Sequence, residues 1–157
     1  MSSGRETRRL RTRESINVVC FSTDGRLLAA AGPGRHIYVW EISSTAPPVR
    51  LPAGPGNVEA MALSPDGRFF ALAGADTTVR VWDAAGNREV ARLAHDGAVA
   101  ALAFSPDGAQ LATASRDHTA RISLWKPEDL IQEACKRLPQ QFKANGACRE
   151  PRVSRRG

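Results

Sequence analysis

The amino-acid sequence predicts an all-β protein built from three successive four-stranded antiparallel units. A Ser-x-Asp-Gly motif occurs three times, and its copies begin at Ser22, Ser64 and Ser105, which are 42 and then 41 residues apart. Each copy lies between two short apolar runs, and in the first two units a third, alternating run follows. A fixed period of about 40 residues, filled with short strands and turn residues, is typical of a repeat protein made of sheets.

The first two strands of each unit are predicted to form a β-hairpin around the motif. In the motif, the Asp side chain can bond the turn backbone, Gly accepts a positive φ, and the Pro of the second and third copies presets φ. Two apolar runs joined by such residues pair as antiparallel strands. These runs cover residues 18–21 and 27–30, 61–63 and 69–72, and 101–104 and 111–114.

Two further strands complete the unit. Residues 37–40 and 79–82 alternate in the way that places successive side chains on opposite faces of a strand. Residues 88–93 supply a weaker fourth strand. Four short strands in about 42 residues, repeated in series, are the pattern of a β-propeller blade.

The units resemble the WD40 repeat. Trp82-Asp83 matches the dipeptide for which the repeat is named, and Trp40-Glu41 is a close variant. His95 lies where the family has a Gly-His pair before the first strand, and two further aspartates lie where it has a turn aspartate. The resemblance covers roughly residues 4–125. It implies structural roles for Trp40, Asp76, Trp82, Asp83, His95 and Asp117.

The resemblance also implies a buried hydrogen-bond chain of His, Ser or Thr, Asp and Trp in each blade. The second unit has Asp76 and Trp82, but its second strand offers Ala73 and Ala75 instead of a hydroxyl. In the first unit, Gly34 replaces the turn aspartate. Such a chain is favourable only when each buried polar group has a partner. We therefore expect the blades to depend more on apolar packing than on this chain.

The third unit departs from the pattern at its tryptophan. It has the histidine, a hydroxyl at Thr113 or Ser115, and the turn aspartate, but Ser123 occupies the tryptophan position. Trp125 comes two residues later and is assigned to the segment that follows. No unit therefore contains all four residues of the hydrogen-bond chain.

The ends are interpreted from the register of the repeat. A shift of 83 residues places residues 5–10 over the fourth strand at 88–93, so the arginine-rich start is predicted to be an outer strand. After Trp125, a proline, early acids and late bases indicate a helix, which resembles the helix that closes WD40 regions of large bacterial multidomain proteins. The predicted segments are an outer strand of a preceding or ring-closing blade at 1–14, blade 1 at 15–54, blade 2 at 55–94, blade 3 without its outer strand at 95–125, an amphipathic helix at 126–138 and a disordered basic tail at 139–157.

Three blades are fewer than the four to eight of ordinary propellers. Open sheet faces and unpaired edges favour association. Two interpretations follow: the chain is the final part of a longer propeller, or two copies form a six-blade ring in which the N-terminal strand completes the strand-poor blade.

The charge is concentrated at the two ends. The net charge is +6, but residues 15–138 carry 12 basic and 13 acidic groups, a net of −1. Arg149, Arg152, Arg155 and Arg156 make the tail a nucleic-acid candidate, although no aromatic residues are interleaved for base stacking. We therefore expect other proteins, rather than nucleic acid, as the partners. No apolar run has the length of a membrane span, and no membrane partner is expected.

No cofactor, metal or catalytic site is predicted. Cys20, Cys135 and Cys148 are widely spaced and contain no CxxC pair, so neither a disulfide framework nor a zinc site is expected, and a reducing cytoplasm is the predicted location. The histidines lie in different units, unlike zinc ligands at short spacing. The aspartates recur at equivalent turn positions, as turn chemistry requires.

The predicted function is a non-catalytic scaffold that binds other proteins. Stiff blades carry loops that can vary freely, and loops are where binding residues concentrate. A regulatory or sensor part of a larger bacterial kinase or nucleoside triphosphatase is one alternative, and weak nucleic-acid binding through the basic termini is a second. The candidate interaction rim comprises Arg35, His36, Asp96, Arg116 and His118.

Overall fold

The computed structural model describes residues 4–54, 56–126, 128 and 130, and it contains eleven strands in three antiparallel sheets. Blade 1 contains β1 (Val18–Phe21), β2 (Leu27–Ala31), β3 (His36–Glu41) and β4 (Val49–Pro52). Blade 2 contains β5 (Val58–Leu63), β6 (Phe69–Gly74), β7 (Thr78–Asp83) and β8 (Arg88–Ala94). Blade 3 contains β9 (Val99–Phe104), β10 (Gln110–Ser115) and β11 (Ala120–Leu124).

This architecture confirms the predicted all-β fold. In each blade the strands pair in chain order, and the described part of blade 3 has three strands where the other two blades have four. Residues 4–17 form no strand, so the assignment of residues 1–14 to an outer strand of another blade stays a prediction. The predicted helix at 126–138, apart from its first residues, and the predicted tail at 139–157 lie outside the described residues. No helix among the described residues is long and apolar enough to cross a membrane.

The three Ser-x-Asp-Gly turns have one geometry. The Ser22, Ser64 and Ser105 hydroxyls donate to the aspartate two residues later at 2.6, 2.5 and 2.5 Å. Each serine oxygen also accepts the N–H of the residue five positions later at 2.9 Å. The glycines of the three turns have φ of 69°, 70° and 69°, in the left-handed region that favours glycine. The motif therefore closes the first hairpin of every blade.

Adjacent blades pack a face of small or β-branched side chains against a face of large ones. At the interface between blades 1 and 2, the small face belongs to blade 1 and includes Ala29, Ala31 and Ile37. The large face belongs to blade 2 and includes Met61, Leu63, Phe70 and Leu72.

The same arrangement recurs between blades 2 and 3. The small face of blade 2 contributes Ala60, Ala62, Ala71, Ala73, Val79 and Val81. On the blade 3 side, Leu111 is fully buried, and Leu102 and Phe104 pack against the cluster. Because side chains alternate along a strand, each blade presents one face of each kind.

Trp125 belongs to the interface between blades 2 and 3, so its assignment to the following segment is wrong. The side chain is 2% exposed and makes edge contacts with Phe69 of blade 2 and Phe104 of blade 3. Its indole N–H donates to the carbonyl of Gly108 at 3.1 Å. A large aromatic side chain with a satisfied N–H suits a buried position. Because Trp125 lies two residues beyond the tryptophan position of the repeat, it follows the end of β11 and packs at the edge of the interface.

The large face of blade 1 is covered only in part. Leu10 of the N-terminal segment packs on Tyr38 and Trp40, whose rings stack on each other. Val19 and Phe21, on the same face, remain 59% and 61% exposed. On the far side of the molecule, the small face of blade 3 is open, and its Ile122 is 71% exposed.

Candidate functional site

The loops that carry the candidate rim residues lie along one edge of the three sheets. Antiparallel pairing brings the ends of even-numbered strands and the starts of odd-numbered strands to the same edge, here called the rim edge. Backbone hydrogen bonds of 2.8 to 2.9 Å connect its loops: Ala53 N–H to Arg35 O, His95 N–H to Thr77 O, and Arg116 N–H to Ala98 O. The rim edge is therefore fixed by the backbone.

The five candidate residues of the rim edge differ in exposure. Arg35, Asp96, Arg116 and His118 are exposed, whereas His36 is half-buried at the start of β3. His118 has a φ of 65°, which places it at the tip of a tight turn. Among the described residues, the Arg35, Arg116 and His118 side chains make no hydrogen bond and are available to a partner.

Blade 3 contains most of the expected polar chain. His95 is buried and shares a 3.0 Å hydrogen bond between its Nε2 and the Thr113 hydroxyl. Its Nδ1 lies 3.5 Å from Asp117 Oδ2, and this atom has no hydrogen bond among the described residues. The structure thus selects Thr113, rather than Ser115, as the hydroxyl partner. Ser115 instead donates to the carbonyl of Gly97 at 3.0 Å.

Asp117 accepts the hydrogen bonds that hold the turn between β10 and β11. It accepts hydrogen bonds from the Thr119 hydroxyl at 2.5 Å and the Thr119 N–H at 2.9 Å, and from the Asp96 N–H at 3.2 Å. Arg121 donates to it at 3.1 Å. The hydrogen bond from the Thr119 hydroxyl, with the backbone donors, holds the pKa of Asp117 well below its usual range. Asp117 is therefore ionised and structural.

In blade 2, Leu72 occupies the position that Thr113 occupies in blade 3. Leu72 pairs with Met61, exactly one repeat before the pairing of Thr113 with Leu102. The sequence prediction that placed Ala73 and Ala75 there was wrong, because a slip of one residue moves a side chain to the other face. With no hydroxyl available, Trp82 Nε1 is buried without a partner among the described residues.

The remaining matched positions of blade 2 form separate contacts. Asp76, in the loop between β6 and β7, accepts a hydrogen bond from Arg80 of β7 at 2.5 Å. Asp83, of the Trp-Asp dipeptide, is buried and accepts bonds from Arg68 at 3.0 Å and from the Ala85 N–H at 3.0 Å. Asp83 thus closes the turn after β7, on the edge opposite the rim edge.

In blade 1, a residue from the N-terminal segment replaces the missing turn aspartate. Glu14 Oε2 is buried and fills the space beside Gly34, so closely that a Cβ there would collide with it. Glu14 Oε1 lies 3.0 Å from His36 Nδ1. This pair was not predicted from the sequence, because residues 1–14 were assigned to another blade. The signal was a glycine at the turn position combined with an acid 20 residues earlier.

The described residues offer no metal centre. No group of three His, Cys, Asp or Glu side chains among them converges as metal ligands would. Burial raises the pKa of the Cys20 thiol to about 11, so this thiol is protonated at neutral pH and is a poor nucleophile.

Asp117 makes the stability of the protein depend on pH. Its pKa is lowered in the folded state, so its contribution is present above the ordinary aspartate pKa of about 3.9 and is lost as pH falls below that value. We expect Asp117→Asn to reduce the difference between the urea midpoints measured at neutral and at acid pH. Asp96→Asn, at a side chain that is 89% exposed, is the control. Equal pH dependence in both variants would contradict this role for Asp117.

The sequence matches the family described as WD domain, G-beta repeat, in three segments, residues 4–41, 47–83 and 87–122. The segments together cover more than half of the chain, and their first and third copies begin 83 residues apart. No curated protein matches the chain. The second and third matched segments each begin with the outer strand of one blade, β4 or β8, and continue into the inner strands of the next blade. The chain therefore belongs to the WD-repeat family.

Proposed function

We propose that the protein is a non-catalytic scaffold that binds other proteins through its rim edge. WD repeats generally mediate protein–protein interaction. The observation that carries the proposal for this chain is the row of exposed charged side chains, Arg35, Asp96 and Arg116, on loops joined by backbone hydrogen bonds. Binding of a partner to such loops costs little conformational entropy, because the loops are already ordered.

The polar side chains beneath the rim edge are placed for a structural role and not for catalysis, which supports the proposal. His95 is buried, and Asp117 is occupied by hydrogen-bond donors from its own turn and from Asp96 and Arg121. A general acid or base needs access to the proton it transfers. Exposed side chains on a fixed frame suit recognition better than proton transfer.

Reversing two charges of the rim edge tests the proposal. We expect Arg35→Glu with Arg116→Glu to abolish recovery of the native partner from a lysate of cells that carry the gene, measured by quantitative mass spectrometry. Arg26→Glu with Arg88→Glu changes the charge equally on the opposite edge and is the matched control, since both residues are exposed. Equal loss in both variants, or loss in neither, would show that the rim edge is not the interaction surface.

A second candidate function is self-association through the two open blade faces. The open face of blade 3 is of the small kind, with Ala101, Ala103, Ala112, Ala114 and Ile122 exposed. The open part of the blade 1 face is of the large kind, with exposed Val19 and Phe21. These are the two kinds of face that pack together at both internal interfaces.

The proposed partner on these faces is a second copy of the chain. Blade 3 of one copy would pack on blade 1 of the other, and two such contacts would close a six-blade ring. A head-to-tail contact forms a closed assembly when the rotation returns to its start. Six blades are within the ordinary range for propellers.

Sedimentation velocity distinguishes this assembly from nonspecific aggregation. We expect the full chain to form a discrete dimer and Ile122→Asp to be monomeric, because the carboxylate would be buried in the contact without a partner. Val49→Asp is the control, since Val49 is 60% exposed but lies on the outer strand β4, away from both open faces. A monomeric parent chain, or aggregates that Ile122→Asp leaves unchanged, would contradict self-association.

A further inference from the structure

A cleft of about 350 Å³ lies between the N-terminal segment and the outer strands of blade 1. Tyr38 of β3 and Arg50 of β4, which are paired across the sheet, form one side. Arg11 and Arg13 contribute from the N-terminal segment. Pro47 and Pro48 form a stiff wall, because the ring of proline fixes φ.

The charge of this cleft is positive, and the Glu14 carboxylate, which lies 3.0 Å from His36 Nδ1, forms no ion pair with its arginines. Arg11, Arg13 and Arg50 all line it, and none of the three forms an ion pair with a carboxylate among the described residues. Arg50 instead lies over the Tyr38 ring at 5.7 Å and 3.2 Å from His36 Nδ1. Three exposed guanidinium groups around one concave space, none of them in an ion pair among the described residues, have the donors and the charge to bind an anion.

The equivalent positions of blade 2 contain an acidic residue that blade 1 does not have. One repeat later, Arg92 occupies the position equivalent to Arg50, and Glu89 occupies the position equivalent to Pro47. Glu89 accepts two bonds from Arg92, at 2.7 and 3.0 Å, and lies 3.8 Å from Arg80. The arginine of blade 2 is thus neutralised within its own blade. In blade 1, a proline occupies the position of the acid, and Arg50 has no ion-pair partner among the described residues.

Tyr38 provides a second, independent observation. It lines the cleft and is 3% exposed, yet its hydroxyl has no hydrogen-bond partner among the described residues. A buried donor without a partner costs stability and gains from a ligand oxygen that accepts its proton. An anion with several acceptor oxygens would satisfy this hydroxyl together with the guanidinium groups.

We propose that this cleft binds a phosphate monoester carried by a phosphorylated side chain of a partner protein. A phosphoryl group carries close to two negative charges and three acceptor oxygens, which match planar guanidinium donors. A nucleic-acid strand fits less well, because base stacking needs exposed aromatic rings and Tyr38 and Trp40 are 3% and 5% exposed. The inference rests on the proposed scaffold function and adds the chemistry of a partner.

Binding is tested with the full chain and a short fluorescent alanine-based peptide that carries one phosphoserine. We expect the phosphopeptide to bind, the serine peptide not to bind, and inorganic phosphate to compete. Arg50→Ala should weaken binding about tenfold, the loss expected for one charge-assisted contact. Arg92→Ala removes the same residue type from the same position of blade 2 and should leave affinity unchanged.

Pro47→Glu is the second variant, because it restores the acid that blade 2 has. We expect it to abolish phosphopeptide binding while thermal unfolding stays close to that of the parent chain. The inference is overturned if the phosphopeptide does not bind, if the serine peptide binds equally, or if neither Arg50→Ala nor Pro47→Glu weakens binding. Equal binding of an oligothymidine, lost in Arg50→Ala, would assign the cleft to nucleic acid and also overturn it.

The outcome is separable from that of the scaffold proposal. Partner recovery that depends on Arg35 and Arg116 but not on Arg50 would leave the scaffold standing without the phosphate site. Phosphopeptide binding with no partner recovered through the rim edge would do the reverse.

Discussion

The structure depends on the packing of a small-residue face of one blade against a large-residue face of the next. Each blade is a thin sheet with no interior, so its apolar side chains become buried only when another blade covers them. Alanines such as Ala29 and Ala71, both fully buried, let the neighbouring sheet approach closely enough for Phe70 and Leu111 to fill the space between blades. Interiors are close-packed, and a change of volume at these alanines is felt directly. The same constraint leaves one face of blade 1 and one face of blade 3 open, and the proposal of self-association arises from those two faces.

The polar elements are secondary to this packing and differ between blades. Blade 3 retains the pair of His95 and Thr113, blade 2 has Leu72 in place of the hydroxyl, and blade 1 obtains its carboxylate from Glu14. The polar positions of the repeat are therefore filled differently in each blade. What is kept in all three blades is the serine–aspartate turn, whose hydrogen bonds have nearly identical lengths. The rim edge is thus free to vary in charge, while the opposite edge repeats one turn.

Most of the fold was predictable because its signals are local. The Ser-x-Asp-Gly turns and the alternation in residues 37–40 and 79–82 fix hairpins within a few residues, and the structure has strands at these places. The errors concern tertiary positions. Ala73 was taken for a position that belongs to Leu72, since register between strands is not encoded in spacing from a turn alone. Trp125 contacts the neighbouring blade, Glu14 contacts blade 1 from the N-terminal segment, and the cleft around Arg50 needs segments that are distant in sequence. Only three-dimensional contact reveals those.

One pair of variants tests the packing of blade faces most directly. Ala71 and Ala112 occupy equivalent positions in blades 2 and 3, but Ala71 is fully buried and Ala112 is exposed. The free energy of unfolding of Ala71→Leu and Ala112→Leu should be measured in urea at a concentration at which both are monomeric. We expect the free energy of unfolding to fall by about 1–3 kcal/mol in Ala71→Leu, because of overpacking, and to stay within about 0.5 kcal/mol of the parent chain in Ala112→Leu. Equal losses in the two variants would show that the packing of a small-residue face against a large-residue face does not determine stability.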